Sequence, residues 1–144
     1  MPGTQITQTR QPVAVDPAGV DERSILIDPG PDFTKTPAQT VAVLRGLAEL
    51  DPTGLPALLA VSRKDFIGAL THTRPKERLA GTLAAIAAVG SGSGVVLRVH
   101  DVGEVRRFLT VLDVLSSSDP VDPELRLADE LRWAAGRPDG TTAV

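Results

Sequence analysis

Basic side chains follow two apolar runs in this sequence of 144 residues. Arg63 and Lys64 follow one run after a single serine, Ser62, and Arg98 and His100 lie at the end of another. Arginine presents a planar fork that suits phosphate, lysine is a compact cation, and histidine can donate a hydrogen bond or carry a charge. Arg98 and His100 are two residues apart, so a strand would point both to one face. This pattern predicts a site for a phosphorylated small molecule.

An acidic residue occupies the corresponding position after a third apolar run. Asp28 follows residues 25–27 and begins the sequence Asp-Pro-Gly. Because parallel strands end at a common edge, we expect Asp28, Lys64, Arg98 and His100 to converge in one pocket. An Asp-Pro-Gly segment is also an ordinary turn, and a basic pair in a turn is often only solvated. The recurrence of polar residues at three strand ends is what favours a site.

Other polar residues have purely structural interpretations. Asp101 is interpreted as a helix N-cap, and Arg78 as a residue that caps or solvates the start of a helix. Lys35 is interpreted as a surface lysine. His72 lies in a loop rich in Thr, Arg and Pro with no partner in the sequence pattern, and we interpret it as structural or neutral.

The three apolar runs, residues 25–27, 57–61 and 95–99, are nearly continuous instead of alternating. Continuous runs are typical of parallel strands that are covered on both faces. A helical pattern follows each run, and such alternation places the strands parallel in one layer. The sequence therefore predicts an α/β fold with a (β/α)3 plan.

Start signals and apolar stripes predict the three helices. Thr36 and Gln39 form a capping box with proline at the first helical position, and residues 101–104 form a D-x-x-E cap. The middle helix is predicted from an Ala-rich stripe within residues 79–87. Each helix would follow one of the predicted strands.

Composition divides the chain into three parts. The composition predicts a flexible N-terminal arm over residues 1–17, the β/α domain over residues 18–115 and a polar C-terminal tail over residues 116–144. Apolar residues spaced among charges predict a short amphipathic helix over 124–135. A complete (β/α)8 barrel needs roughly 250 residues, so the chain is too short to form one alone.

Charge and cysteine content exclude several classes of protein. Fifteen Lys and Arg against eighteen Asp and Glu give a net charge of -3, so there is no basic footprint for nucleic acid. The absence of cysteine excludes a disulfide framework and a thiolate metal site. No apolar run approaches the ~20 residues of a membrane span, and no signal peptide is visible. We therefore expect a cytoplasmic protein without membrane contact.

Four segments resemble a known family: ILIDPGPDFTKT, AVSRKDFIGAL, RLAGTLAA and LRVHDV. In this order and spacing they look like the last three β/α units of the dihydropteroate synthase family, over about residues 18–115. The resemblance implies the C-terminal portion, strands six to eight, of a TIM (β/α)8 barrel with a pterin-binding site. That family condenses 6-hydroxymethyl-7,8-dihydropterin pyrophosphate with 4-aminobenzoate, giving dihydropteroate and pyrophosphate for folate biosynthesis, with Mg2+ present.

The resemblance implies roles for residues around the pterin and the pyrophosphate. Asp28 is expected to hydrogen-bond the pterin ring, and Lys64 to reach its polar edge. Arg98 is expected to stack on the pterin and, with His100, to hold the pyrophosphate. Lys64, Arg98 and His100 are the expected catalytic residues, because fixed positive charge stabilises a leaving anion.

The same resemblance implies an acceptor pocket. Phe33 is expected to wall the ring of 4-aminobenzoate, Arg63 to shape its pocket, and Ser62 to belong to the substrate-binding residues. Two positions depart from the family pattern: Asp65 stands where a small polar residue is usual, and Asp32 where glycine is preferred. Negative charge here is expected to repel the aminobenzoate carboxylate. The acceptor of this chain is therefore left open.

Part of the family site has no counterpart in this sequence, including the N-V-T-P-D-S-F-S-D-G-G segment with its metal-associated asparagine. We assign no metal ligand here and expect the Mg2+ ligand in the N-terminal half of the barrel. Three strands would leave two exposed edges, which favours a homo-oligomer or a partner chain that covers them. One alternative is a truncated, non-catalytic paralogue or interaction module that self-associates or completes a partner barrel. Another is an open α/β module for a different phosphorylated metabolite.

Overall fold

A computed structural model describes residues 19–21, 24–47, 55–90 and 94–133. The predicted arm, residues 1–17, lies outside the described residues. The elements follow one another as α1 Pro37–Arg45, β1 Ala57–Leu59, α2 Asp65–Thr71, α3 Leu79–Val89, β2 Val95–Leu97 and α4 Val102–Ser116. Short 3-10 turns span Pro75–Glu77 and Asp129–Leu131.

The sheet is parallel, as the continuous apolar runs predict. Strands β1 and β2 pair with Leu58 opposite Val96 in the centre of the register. Ile27 adds an isolated parallel bridge to Ala57, so a third segment lies on the other side of β1. The two strands are shorter than the runs 57–61 and 95–99 that predicted them.

The predicted first strand, residues 25–27, is reduced to this single bridge. The Ile27 N–H donates to the Pro56 carbonyl at 2.9 Å, and the Leu58 N–H donates to the Ile27 carbonyl at 2.8 Å. In a parallel ladder the next donor on this segment would be residue 29, which is a proline without an N–H. The described residues therefore form two strands and a bridged segment, not three full strands.

Local start signals account for α1. The Gln39 N–H donates to the Thr36 hydroxyl at 3.3 Å, and the Thr36 N–H donates to the Gln39 side-chain oxygen at 2.8 Å. This capping box satisfies two donors at the helix start, as the sequence predicts. The apolar stripes of α3 and α4 also form helices. Helix α2, with seven residues, is too short to show a stripe and was not predicted from periodicity.

The predicted cap of α4 is confirmed in position but wrong in its hydrogen bond. Asp101 occupies the N-cap position, but its side chain makes no capping hydrogen bond. Its carboxylate instead binds the guanidinium of Arg63, which approaches from the loop after β1. An ionic partner offers a stronger hydrogen bond than a backbone N–H, and the tertiary contact therefore replaces the local one.

The predicted helix over 124–135 is also wrong for the residues that the structure describes. Only the 3-10 turn Asp129–Leu131 forms there, and residues 134 and 135 lie outside the described part. Leu127 and Leu131 are exposed, and Trp133 is fully exposed. A short helix is marginal unless an apolar face is buried, and this segment buries none.

The helices cover one face of the sheet and leave the other open. The core consists of buried apolar side chains, namely Leu44, Leu59, Val61, Phe66, Ile67, Ile86 and Val105. Val95 and Leu97 pack against this core, so the alternation of β2 points Val96 away from it, where it is 46% exposed. Leu26 is 49% exposed. We call the surface of Leu26, Leu58 and Val96 the open sheet face.

Within the described residues, no helix is both long and apolar enough to cross a membrane.

Candidate functional site

A cleft of about 610 Å³ lies at the carboxyl ends of β1 and β2. The side chains that line it come from the loop after β1, the end of β2 and the loop before α1. They are Asp32, Ala60, Ser62, Arg63, Lys64, Asp65, Arg98, Val99 and His100. Of the four residues expected to converge, the cleft therefore brings together Lys64, Arg98 and His100.

Ser62 and His100 connect the two strand ends. The His100 N–H donates to the Ser62 hydroxyl at 3.2 Å, and the imidazole Nδ1 lies 3.0 Å from the same oxygen. Ser62 is buried, so this hydroxyl has a fixed position. These two contacts hold the His100 ring at the cleft and leave Nε2 without a protein partner among the described residues.

Lys64 and Arg98 are the unpaired cations of the cleft. Neither makes an ion pair with a carboxylate within the part of the chain that the structure describes. The Lys64 Nζ lies 4.8 Å from the centre of the Phe33 ring, a cation–π distance. Phe33 does not line the cleft itself, and it is 58% exposed beside it. Two positive charges are thus available to an anionic ligand.

Arg63 lines the cleft as an internally neutralised cation. Its Nε donates to Asp101 Oδ2 at 3.0 Å, and its Nη2 donates to the other carboxylate oxygen. The hydrogen bond to Arg63 lowers the pKa of Asp101, partial burial opposes this, and the charges of Arg63 and His100 add to the lowering. The same hydrogen bond raises the pKa of Arg63. The pair holds the side chain of Arg63 in one orientation.

Arg78 holds the cleft loop from behind, a role that the sequence interpretation missed. Its Nη1 donates to the carbonyls of Arg63 and Lys64 at 2.9 and 3.2 Å, and to the Asp65 carboxylate at 2.8 Å. Its Nε donates to the Thr73 carbonyl at 3.1 Å. The side chain is only 11% exposed. Arg78 therefore joins α3 to the backbone that presents the cleft cations.

Thr82 and Gly68 complete this support. The Arg63 N–H donates to the Thr82 hydroxyl at 3.0 Å, and that hydroxyl donates to the Arg78 carbonyl at 2.9 Å. Arg63 has a positive φ of 56°, which a non-glycine residue adopts when surrounding contacts fix it. A side chain at Gly68 would overlap the Arg78 guanidinium. The sequence features that could have indicated this support are Arg78 and Thr82 in the RLAGT segment and Gly68 in the FIG segment.

Asp28, like Phe33, is an expected site residue that does not line the cleft. Its carboxylate accepts a hydrogen bond from the Gly30 N–H at 2.8 Å, the i to i+2 contact of an Asx turn. Lys35 donates to the carbonyls of Gly30 and Phe33, so it ties this loop together and is more than a surface lysine. Asp28 is exposed at the same carboxyl edge of the sheet. Its role toward a pterin stays a prediction.

Asp32 occupies the end of the cleft next to α2. Its Oδ2 accepts from the Asp65 and Phe66 N–H groups at 2.6 and 3.3 Å, and its Oδ1 accepts from the Thr40 hydroxyl at 2.9 Å. The Asp65 side chain, by contrast, is 86% exposed and pairs with Arg78. The two departures from the family pattern therefore differ: one carboxylate is tied into the loop, and the other projects outward.

The residues present do not by themselves form a metal site. No group of three or more His, Cys, Asp or Glu side chains is placed to hold a metal ion among the described residues. The donors that line the cleft are mainly cationic, whereas Mg2+ requires a set of oxygen ligands.

The match to a family model assigns the class of protein. Residues 4–100 match the model described as pterin binding enzyme, which is more than half of the chain. The chain belongs to the pterin-binding enzyme family. This match confirms the family resemblance that the four sequence segments indicate.

Relatives within the family are dihydropteroate synthases. The dihydropteroate synthase of Bacillus subtilis (strain 168) is 41% identical over 104 residues, 72% of this chain and 36% of that protein. A protein of Mycobacterium tuberculosis (strain ATCC 25618 / H37Rv) named inactive dihydropteroate synthase 2 is 40% identical over 109 residues, 76% of this chain and 33% of that protein. The chain spans about a third of the length of these curated relatives.

Solved structures of dihydropteroate synthases share the fold of the described residues. The Xanthomonas albilineans enzyme with 4-aminobenzoic acid matches with a TM-score of 0.65 and 41% identity, over 71% of this chain and 39% of that one. A Yersinia pestis enzyme in a sulfonamide drug complex matches with a TM-score of 0.63 and 32% identity, over 68% and 36%. The described elements are thus part of a TIM-barrel type of α/β fold.

Proposed function

We propose that this chain supplies the anion-binding part of a dihydropteroate synthase-type transferase site, acting in cytoplasmic folate biosynthesis. Its ligands would be 6-hydroxymethyl-7,8-dihydropterin pyrophosphate and an aromatic amine of the 4-aminobenzoate type. The observation that carries the proposal is the cleft in which Lys64, Arg98 and His100 meet. The described elements would then be three consecutive β/α units of the barrel, with the first strand reduced to Ile27.

The cleft fits the charge that such a reaction develops. The amine nitrogen attacks the methylene carbon of the pterin, the carbon–oxygen bond breaks, and its electron pair leaves with the pyrophosphate. The attacking amine then loses a proton to solvent. Lys64 and Arg98 place unpaired positive charge where the negative charge grows, and His100, fixed by Ser62, adds a hydrogen bond donor. Positive charge at this position would lower the barrier by stabilising the leaving anion.

The remaining contacts follow the family pattern. Asp28 would hydrogen-bond the pterin ring from the sheet edge, Phe33 would wall the acceptor ring, and Arg63, held by Asp101, would shape the acceptor pocket. Holding the two substrates in line would account for the rest of the rate acceleration, because the amine needs only to be positioned. A Mg2+ ion remains part of the proposal, with ligands elsewhere in the barrel.

Calorimetry with inorganic pyrophosphate and with the pterin pyrophosphate tests the proposal. Arg98→Ala removes one of two unpaired cations, so we expect both ligands to bind about tenfold or more weakly. Arg106→Ala, an exposed arginine of α4 that does not line the cleft, is the matched control and should leave both affinities unchanged. Equal binding by wild type and Arg98→Ala would contradict the proposal. Binding of pyrophosphate with no preference for the pterin would favour a different phosphorylated metabolite.

The open sheet face supports a second role, association with another copy of this chain. Leu26 and Val96 expose about half of their surface, and the described residues provide no strand beyond β2 or beyond the segment of Ile27. Unpaired edges beside an apolar face favour association. A non-catalytic module would use this face without turnover, and relatives named inactive belong to the same family.

A further inference from the structure

Asp32 is the acidic residue of the cleft whose charge no cation offsets. The Asp65 carboxylate pairs with Arg78 at 2.8 Å, and Asp101 pairs with Arg63. Asp32 makes no ion pair within the described ranges, and its oxygens accept hydrogen bonds from neutral groups only. Within the described residues, no cationic side chain therefore pairs with its negative charge at this end of the cleft.

Asp32 is also fixed in place. The buried Thr40 both donates to Asp32 Oδ1 and accepts the Asp32 N–H at 3.0 Å, so backbone and side chain are held together. The two N–H groups at the start of α2 hold Oδ2. The carboxylate cannot turn away from an incoming group without losing these bonds. Asp32 therefore presents a carboxylate of fixed position in the wall of the cleft.

Binding of the phosphorylated substrate would make this end more anionic. Lys64 and Arg98 are the unpaired cations that the phosphorylated substrate would engage, and Arg63 is already neutralised by Asp101. Once that substrate is bound, no unpaired lysine or arginine remains among the described residues that line the cleft to balance Asp32 and the bound anion. A negative charge on the second substrate would then be repelled by both.

We propose that Asp32 determines acceptor specificity, so that the cleft takes an aromatic amine without a carboxylate and disfavours its anionic counterpart. This inference rests on the proposed function, since it concerns the second substrate of the same site. Phe33 follows Asp32 directly and offers its exposed ring, with the Lys64 ammonium near the ring centre, to an aromatic ligand. The Phe33 ring would still contact an aromatic acceptor, and the charge of Asp32 would disfavour an acceptor that carries a carboxylate.

Calorimetry with a matched pair of acceptors tests this assignment. With the pterin pyrophosphate saturating, wild type should bind 4-aminobenzamide about tenfold more tightly than 4-aminobenzoate. Asp32→Asn keeps the size of the side chain and tolerates the positive φ of 62°, and it should bring the two affinities close together. Asp65→Asn is the control, because Arg78 already offsets that carboxylate, and it should change the ratio much less.

The outcomes separate this inference from the proposed function. A wild type that binds the acid as tightly as the amide would overturn it, as would an unchanged ratio in a folded Asp32→Asn or no binding of either acceptor. The ratio of the wild-type affinities for the amide and the acid is measured without any variant, so it tests the inference even where Asp32→Asn does not fold. Failure of the pterin pyrophosphate to bind counts against the proposed function instead, and the acceptor ratio is then measured on the protein alone.

Discussion

At the scale of single residues, the Arg63–Asp101 pair links stability to pH. Its hydrogen bond holds the pKa of Asp101 below the ordinary value of 3.8, so the folded chain binds this proton less readily than the unfolded chain. The contribution of the pair to stability is therefore complete above that ordinary value and is lost as the pH falls through the lowered folded value.

Thermal melting of wild type and Asp101→Asn checks this sign. The melting temperature of wild type should exceed that of the variant at neutral pH. The gap should narrow as the pH falls below the ordinary value of 3.8, where the unfolded chain takes up the proton before the folded chain does. Asp113→Asn, which removes an exposed carboxylate of α4, should show no such narrowing gap. A gap between wild type and Asp101→Asn that is constant with pH would show that the pair contributes through packing alone.

At the scale of elements, the contact of α2 with Arg78 makes a prediction about two glycines. Replacement of Gly68 by alanine would place a methyl group within 2.6 Å of Arg78 Nε, and the four hydrogen bonds of that side chain resist its displacement. We expect Gly68→Ala to lower the free energy of unfolding by about 1–3 kcal/mol.

Gly103 in α4 provides the opposite case for the same urea denaturation experiment. A methyl group added at Gly103 would lie 3.7 Å from its nearest neighbour, Arg107 Nη1, and the position is exposed. Gly103→Ala should therefore raise the free energy of unfolding by about 0.4–1 kcal/mol, because alanine restricts the unfolded chain more than glycine does. A stabilising Gly68→Ala would show that Arg78 moves without loss and does not brace the loop.

The elements with local signals could be predicted from the sequence. The capping box of α1 and the stripes of α3 and α4 involve neighbours three or four residues apart, and these helices form. The strand over 25–27 depended on register, because only the pairing of Ile27 with Ala57 shows that Pro29 falls on a donor position. The segment after 124 depended on packing partners that the described residues do not provide.

The candidate site was also predictable only in part, because some of its contacts depend on residues that are far apart in the sequence. The rule that parallel strands end at one edge brought Lys64, Arg98 and His100 together correctly. The contacts that hold them join residues far apart in sequence, such as Arg63 to Asp101 and Arg78 to the carbonyls behind the cleft. No periodicity or spacing in one sequence reports such partners, and they became visible only with the fold.

At the scale of the whole molecule, the described residues cover one face of a sheet and leave the other uncovered. The chain spans about a third of the length of its curated relatives, in which further chain is available to complete a barrel. The cleft and the open sheet face lie on the same side of β2. Val96, Arg98 and His100 are spaced two residues apart, so their side chains point to the same side. Covering this face would therefore also enclose the cleft and strengthen its electrostatics by excluding water.

Self-association through the open sheet face predicts a mass that depends on concentration. Size-exclusion chromatography with light scattering should show wild type shifting toward a larger species as the concentration rises. Val96→Lys would bury an unpaired charge in the interface and should weaken association by about tenfold or more. Val114→Lys, on α4, is matched because that side chain is 49% exposed, and it should leave the equilibrium unchanged. Equal effects of the two lysines, or a monomer at every concentration, would contradict self-association through this face.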